Sequence, residues 1–101
     1  MLRSRARDEA FELFRQGVGV DEVSRRVKRP RMTVLIHLLA YIEGERITDP
    51  SPWVGESVAR RIVSAARDAG PNRFKPIAQV LGDKVSLEAI RIVLACLRNE
   101  S

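Results

Sequence analysis

The chain has 101 residues, of which 45% are hydrophobic, and carries a formal net charge of +5 with a pI near 10.3. That is enough apolar material for one ordinary domain with a buried interior, and it excludes a disordered chain. The basic excess is modest and spread along the chain, with ten basic against seven acidic residues through residue 48 and eight against six after it. Total charge therefore says little about partners, and only local clustering is informative.

The first predicted helix opens behind a possible Ser4 cap and places Ala6, Ala10, Leu13 and Phe14 on one face. Asp8 and Glu9 lie in its early turns, where the helix dipole favours acids. Gly17 ends it. A second helix over residues 20 to 27 carries Val20, Val23 and Val27 on one stripe, and Asp21 and Glu22 open it. Arg25, Arg26, Lys28, Arg29 and Arg31 then fall within seven residues with no acid among them. Pro30 is tolerated there because it stands at a helix start. The third helix runs from Arg31 to Glu43 with Val34, Leu38 and Ile42 facing the core, and Gly44 stops it.

The segment from Ile47 to Trp53 contains two prolines and reads as a turn-rich connector, with Ser51 capping a short turn. Trp53 has two readings, an anchor that pins the connector to the core or a platform for an unpaired base. A fourth helix over 56 to 69 carries Val58, Ile62 and Ala65, joined by Val63 and Ala66, and Gly70-Pro71 terminates it. A short fifth helix holds Ile77, Val80 and Leu81 and closes at Gly82-Asp83. The sixth starts at a Ser86 cap and buries Ile90, Val93, Leu94 and Leu97. The expected fold class is all-α: a helix-turn-helix followed by three further helices sharing one core, with helix three central. The expected organisation is a single domain over 1–101, with a helix-turn-helix lobe at 4–46 and a C-terminal helical lobe at 53–98.

Two basic sets stand out. The turn cluster is placed to meet a phosphate backbone, although Asp21 and Glu22 are also placed to pair with Arg25 and Arg26. Arg60, Arg61, Arg67, Arg73 and Lys75 form the second set, and whether it adjoins the first depends on lobe packing. Thr33 lies in the first turn of helix three, where its hydroxyl can cap the helix or donate to a phosphate oxygen, and the exposed amides there favour an anion. Leu35 and Ile36 offer no donors or acceptors that distinguish base pairs, so base-specific readout is not expected. They are either core covered by helices four to six or an exposed docking surface.

No serine or cysteine has a spaced base, no glycine-rich phosphate loop occurs, and no metal-ligand spacing is present, so neither catalysis nor a cofactor is expected. His37 is the only histidine. Cys96 is alone, expected to be buried and inert, and no internal disulfide is possible. Nothing at the N-terminus reads as a secretion signal, and the apolar run from Val34 to Ile42 is too short to span a bilayer. A cytoplasmic setting is expected, with no membrane partner and no small-molecule substrate.

Gly17, Val20, Asp21, Glu22, Val23, Thr33, Val34, His37 and Leu38 match without a gap the helix-turn-helix domain at the C-terminal end of RecQ-type and some other bacterial DNA helicases. Residues 74 to 97, with their Lys-Pro-Ile turn, serine cap and Ile-Arg helix, are similar to that family's closing pattern. The first half also resembles LuxR-type regulators, and residues 74 to 97 carry the discrimination. Coverage runs over residues 5 to 98. Where the family pattern has a small residue or glycine in the turn and a serine before the third helix, this chain has Lys28 and Pro30. The resemblance implies an accessory DNA-binding module serving helicase motor domains in the same parent chain. It also implies contact between His37 and the DNA backbone, although a helix-surface or partly packed histidine is equally compatible with the residues. The expected nucleic-acid-binding residues are thus Arg25, Arg26, Lys28, Arg29, Arg31, Thr33 and His37. A protein-docking module built on a repurposed helix-turn-helix, or a LuxR-type regulator domain, is the alternative function.

Overall fold

A computed structural model describes residues 5–70 and 73–100. Ser4 and Pro71, both given roles at helix ends above, lie outside the described residues. The described chain forms α1 (Arg5–Arg15), α2 (Val20–Val27), α3 (Arg31–Gly44), α4 (Glu56–Ala69), α5 (Phe74–Leu81) and α6 (Leu87–Glu100), with a 3-10 turn at Gly82–Lys84 before α6 and no strand among them. The all-helical expectation holds.

Helix ends follow local chemistry. At the end of α1, Gly17 takes φ +84°. Its N–H donates to Phe14 O, and Val18 N–H to Leu13 O at 3.1 Å. This is the paired termination that a left-handed residue permits, and glycine adopts it without a Cβ penalty. The end of α3 uses the same bonds, Arg46 N–H to Glu43 O and Ile47 N–H to Ile42 O. There the left-handed residue is Arg46, at φ +53°. Gly44, expected to stop the helix, is its last residue instead. In the connector the capping group is the Asp49 carboxylate, which accepts from both Ser51 N–H and Ser51 Oγ at 2.9 Å. The Asp49 carboxylate, two residues before Ser51, thus takes the role expected of Ser51. Ser86 does cap α6, its Oγ accepting from Ala89 N–H.

The helices pack as two trios. α3 rests on α1 and α2, α6 rests on α4 and α5, and α3 against α6 is the one helix pair that joins the trios among the described residues. Arg31 at the start of α3 bonds Glu88 at the start of α6, and Asn99 near the end of α6 donates to Ile42 O near the end of α3. Both ties span 57 residues, so the two helices run parallel and in register along their whole length.

That register explains the burial. α6 buries Ile90, Ile92, Val93, Leu94, Ala95 and Cys96, and it shares the centre of the fold with α3. Leu35, facing α6, is 6% exposed, while its neighbour Ile36 points outward at 59%. One apolar cluster runs through both trios. Val80, expected on the buried stripe of α5, is 75% exposed. α5 packs through Ile77, with Phe74, Ala78 and Leu81 partly buried around it. That stripe at i, i+3, i+4 and i+7 puts Val80 about a third of a turn away. Trp53 anchors the connector, its ring edge-on to Phe14 and Tyr41 at 6.3 and 6.4 Å between centroids.

The contrast between neighbours gives a direct test. Leu35→Ala is expected to lower unfolding free energy by about 2–4 kcal/mol through lost burial and a residual cavity, whereas Ile36→Ala stays within about 0.5 kcal/mol of the parent. Urea denaturation of the two variants measures both.

Candidate nucleic-acid interface

The turn between α2 and α3 is locked by one residue. Ser24 O accepts the N–H of Lys28 and that of Arg29, and Ser24 Oγ donates to Arg29 O at 2.7 Å. Closing the chain this tightly forces Lys28 into the left-handed region, φ 56° and ψ 49°. Glycine is the low-energy residue for such a position. Pro30 precedes α3 with no side-chain cap, its carbonyl accepting Val34 N–H. The first amides of α3 are therefore left without a capping side chain, the arrangement that favours an anion at a helix start.

The basic cluster divides in two. Glu22 takes both Arg25 and Arg26, the latter at 2.9 Å from Nε. The Arg26 hydrogen bond, aided by the charges of both arginines, holds the Glu22 carboxyl below its ordinary range. Arg31 reaches Asp21 with Nε at 2.6 Å and Glu88 with Nη1 at 2.5 and 2.7 Å. The Glu88 bond first, then Asp21, drives its pKa above the ordinary arginine value. Arg31 is thus a strut that ties α2, α3 and α6 at one point. Lys28 and Arg29 remain exposed and carry no ion pair among the described residues.

Thr33 is half-buried in the first turn of α3, and His37 one turn later is half-buried as well. Burial lowers the His37 pKa, and the charges of Arg7 and Arg29 lower it further. Arg7 is a residue that reading the turn alone does not find. It projects from α1, its guanidinium 5.0 Å above the Phe11 ring. Its spacing of four from Phe11, beside the buried Ala10 and Phe14, is the sequence signal that places it on the flank of α1 next to α3. The structure therefore gathers Arg7, Arg29 and His37 beside the turn.

Between these groups the outer face of α3 is apolar. Met32 is 67% exposed and Ile36 follows it one turn on, with Ala40 partly exposed beyond. None of the three presents a donor or acceptor that reads a base edge. The second basic set lies on the other trio, where Arg60 pairs with Glu56 at 2.5 Å. α4 and α5 make no close backbone contact with α2 among the described residues, so this set is not part of the turn surface. Cys96 is buried in the core, and burial pushes its thiol up to about 11. No described helix is long and apolar enough to cross a membrane.

A family model described as a helix-turn-helix domain matches residues 6–94, and the chain belongs to that family. Membership points to nucleic-acid binding in general terms. No curated protein and no solved structure matches the chain.

The His37 environment sets a pH dependence. Its folded pKa lies below 6.5, so as pH falls the unfolded chain takes up the proton first and the folded state loses stability from about 6.5 downward. The stability that the neutral ring contributes is present above that value. The urea midpoint is expected to fall between pH 7.5 and 5.5 in the parent and to fall less in His37→Gln, as parallel denaturation curves at about those two pH values will show.

Proposed function

We propose that this chain is an accessory, non-catalytic nucleic-acid-binding module of a cytoplasmic DNA helicase-like protein, meeting the phosphate backbone with little base preference. The observation that carries the reading is the placement of Lys28 and Arg29. They are the exposed cations of the cluster without an ion pair, at the tip of a turn that leads into an uncapped helix start. Thr33 and His37 adjoin that helix start, and Arg7 and Arg29 make the position of His37 favourable for an anion. Arg25, Arg26 and Arg31 contribute positive field, but their carboxylate partners offset it, and their first role is structural. Met32 and Ile36 face outward where a base-reading helix would carry polar groups, which favours backbone over base contact. The helicase context rests on the resemblance of residues 17–38 and 74–97 to the RecQ-type domain.

One observation favours a second reading. Met32 and Ile36 sit one turn apart on the same face of α3, both largely exposed. Such a pair suits a protein partner, such as the motor domains of the parent chain, better than a LuxR-type reading in which this helix selects bases. Changing Ile36 to Ser separates the cases, because backbone binding is unaffected by it and docking is lost.

Lys28→Gly is the informative variant, because function and stability move in opposite directions. Removing the left-handed lysine is expected to raise unfolding free energy by roughly 0.5–1 kcal/mol. Combined with Arg29→Ala it removes two phosphate contacts. The slope of log affinity against log salt for a short duplex, read by fluorescence anisotropy between about 50 and 200 mM, then falls by about two. A salt slope unchanged in the double variant would contradict the proposed contact.

A further inference from the structure

Among the described residues the non-glycine positions with left-handed backbone are Lys28 and Arg46, and they bracket α3 at its two ends. Both are cations where glycine would cost less. Lys28 belongs to the turn already described, and Arg46 belongs to something else. It lines a cleft of about 400 Å³ between the end of α3, the start of α5 and the end of α6. Leu39, Phe74 and Leu94 supply apolar lining, and Arg46, Arg91 and Arg98 supply guanidinium groups. Glu43 is the one carboxylate in that lining, so the balance is positive. The Arg91 guanidinium lies 4.4 Å over the Phe74 ring.

The turn that holds Arg46 is over-determined. Its two backbone bonds are joined by Asn99 Nδ2, which donates to Ile42 O at 3.0 Å and to Ile47 O at 2.7 Å. Strained residues held this firmly gather at ligand sites, because the surrounding bonds keep a side chain where relaxation would remove it. Here the side chain kept in place is an arginine beside an aromatic ring and a second arginine.

We infer that this cleft is a second nucleic-acid site, built to take an unpaired nucleotide, with the base against the partly exposed Phe74 and Leu39 and a flanking phosphate between Arg46 and Arg91. A cleft of mixed lining, with aliphatic and aromatic groups set among guanidinium groups, suits a flat base joined to an anion, since every base has a face that stacks and every linkage a charge that pairs. A duplex backbone does not fill such a space, because its bases are stacked inside and only a convex ridge of phosphates is presented. The choice of a nucleotide over another phosphate carrier rests on the helix-turn-helix membership and the nucleic-acid reading of the turn. The site itself is at the opposite end of α3.

The test uses anisotropy with three labelled probes: a short oligothymidylate, an abasic single strand of the same length and a short duplex. The parent is expected to bind oligothymidylate more tightly than the abasic strand. Arg46→Gly with Arg91→Ala weakens oligothymidylate binding roughly tenfold and leaves duplex affinity within about threefold. Phe74→Leu abolishes the preference for thymidine over the abasic strand. Arg46→Gly also relieves the left-handed strain, so its melting temperature does not fall, and as a single variant it reads the site even if a cleft double variant unfolds. Equal affinity of the parent for the two single strands, as a phosphopeptide-type anion site would give, overturns the inference. Oligothymidylate binding by Arg46→Gly/Arg91→Ala at parental strength overturns it as well. If Lys28→Gly/Arg29→Ala binds duplex like the parent while the cleft variants still lose oligothymidylate, the turn reading fails and the cleft stands.

Discussion

The parallel, in-register packing of α3 on α6 is the constraint on which the rest of the molecule depends. It buries Leu35 and Leu38 of one helix against a helix that itself buries six consecutive or near-consecutive apolar residues. Each large aliphatic side chain so buried contributes about 1.5–3 kcal/mol, while an ion pair between exposed partners such as Arg31 and Asp21 contributes about 0–1 kcal/mol. Apolar contact therefore supplies the adhesion. Arg31 at one end and Asn99 at the other choose the register. A slip along α6 would break both ties at once, and a rotation of α3 would bring Ile36 inward and turn Leu35 to solvent.

Holding α3 in this way determines which groups face outward. One flank is covered by α6 and another by α1 and α2, leaving a narrow face with Met32 and Ile36 at its centre. Cations stand at both ends of α3, each on a backbone conformation suited to glycine. The chain thus accepts strain at Lys28 and Arg46, and an uncapped start at Pro30, in the places proposed to meet a polyanion. A sequence optimised for stability alone would put glycine at both positions and a serine before α3. Departures of this kind from local preference mark sites of function more often than they mark errors of packing.

Much of the fold was legible from residue order because it rests on local rules. The stripes Ala6-Ala10-Leu13-Phe14, Val20-Val23-Val27 and Val34-Leu38-Ile42 follow from helical period, and the breaks at Gly17, Gly70 and Gly82 follow from the freedom of glycine at positive φ. What was hidden depends on contacts between distant segments. Leu35 and Ile36 are adjacent and chemically alike, and only the position of α6, 57 residues on, decides which one is core. Arg31 read as one more cation of the turn because Glu88 lies far along the chain. Arg46 gives no signal in the sequence because Gly44, two residues before it, is the more obvious helix stop. The relation of Arg7 to His37 exists only after α1 packs on α3. At the turn, position was legible and function only in part: sequence located the basic cluster, but the division between paired Arg25, Arg26 and Arg31 and unpaired Lys28 and Arg29 needs the geometry of three carboxylates.

Nucleic acid is proposed to lie against the turn and the first two turns of α3, touching backbone and not bases. Amide and side-chain chemical-shift mapping of the labelled protein during titration with a short duplex tests it most directly. The expected result is a contiguous set of shifts over Lys28, Arg29, the first amides of α3, Thr33 and His37, with Arg7 included and the same pattern for duplexes of unrelated sequence. Shifts confined to α4 and the surface around Arg60 and Arg61, or a pattern that changes with base sequence and centres on Met32 and Ile36, would contradict it.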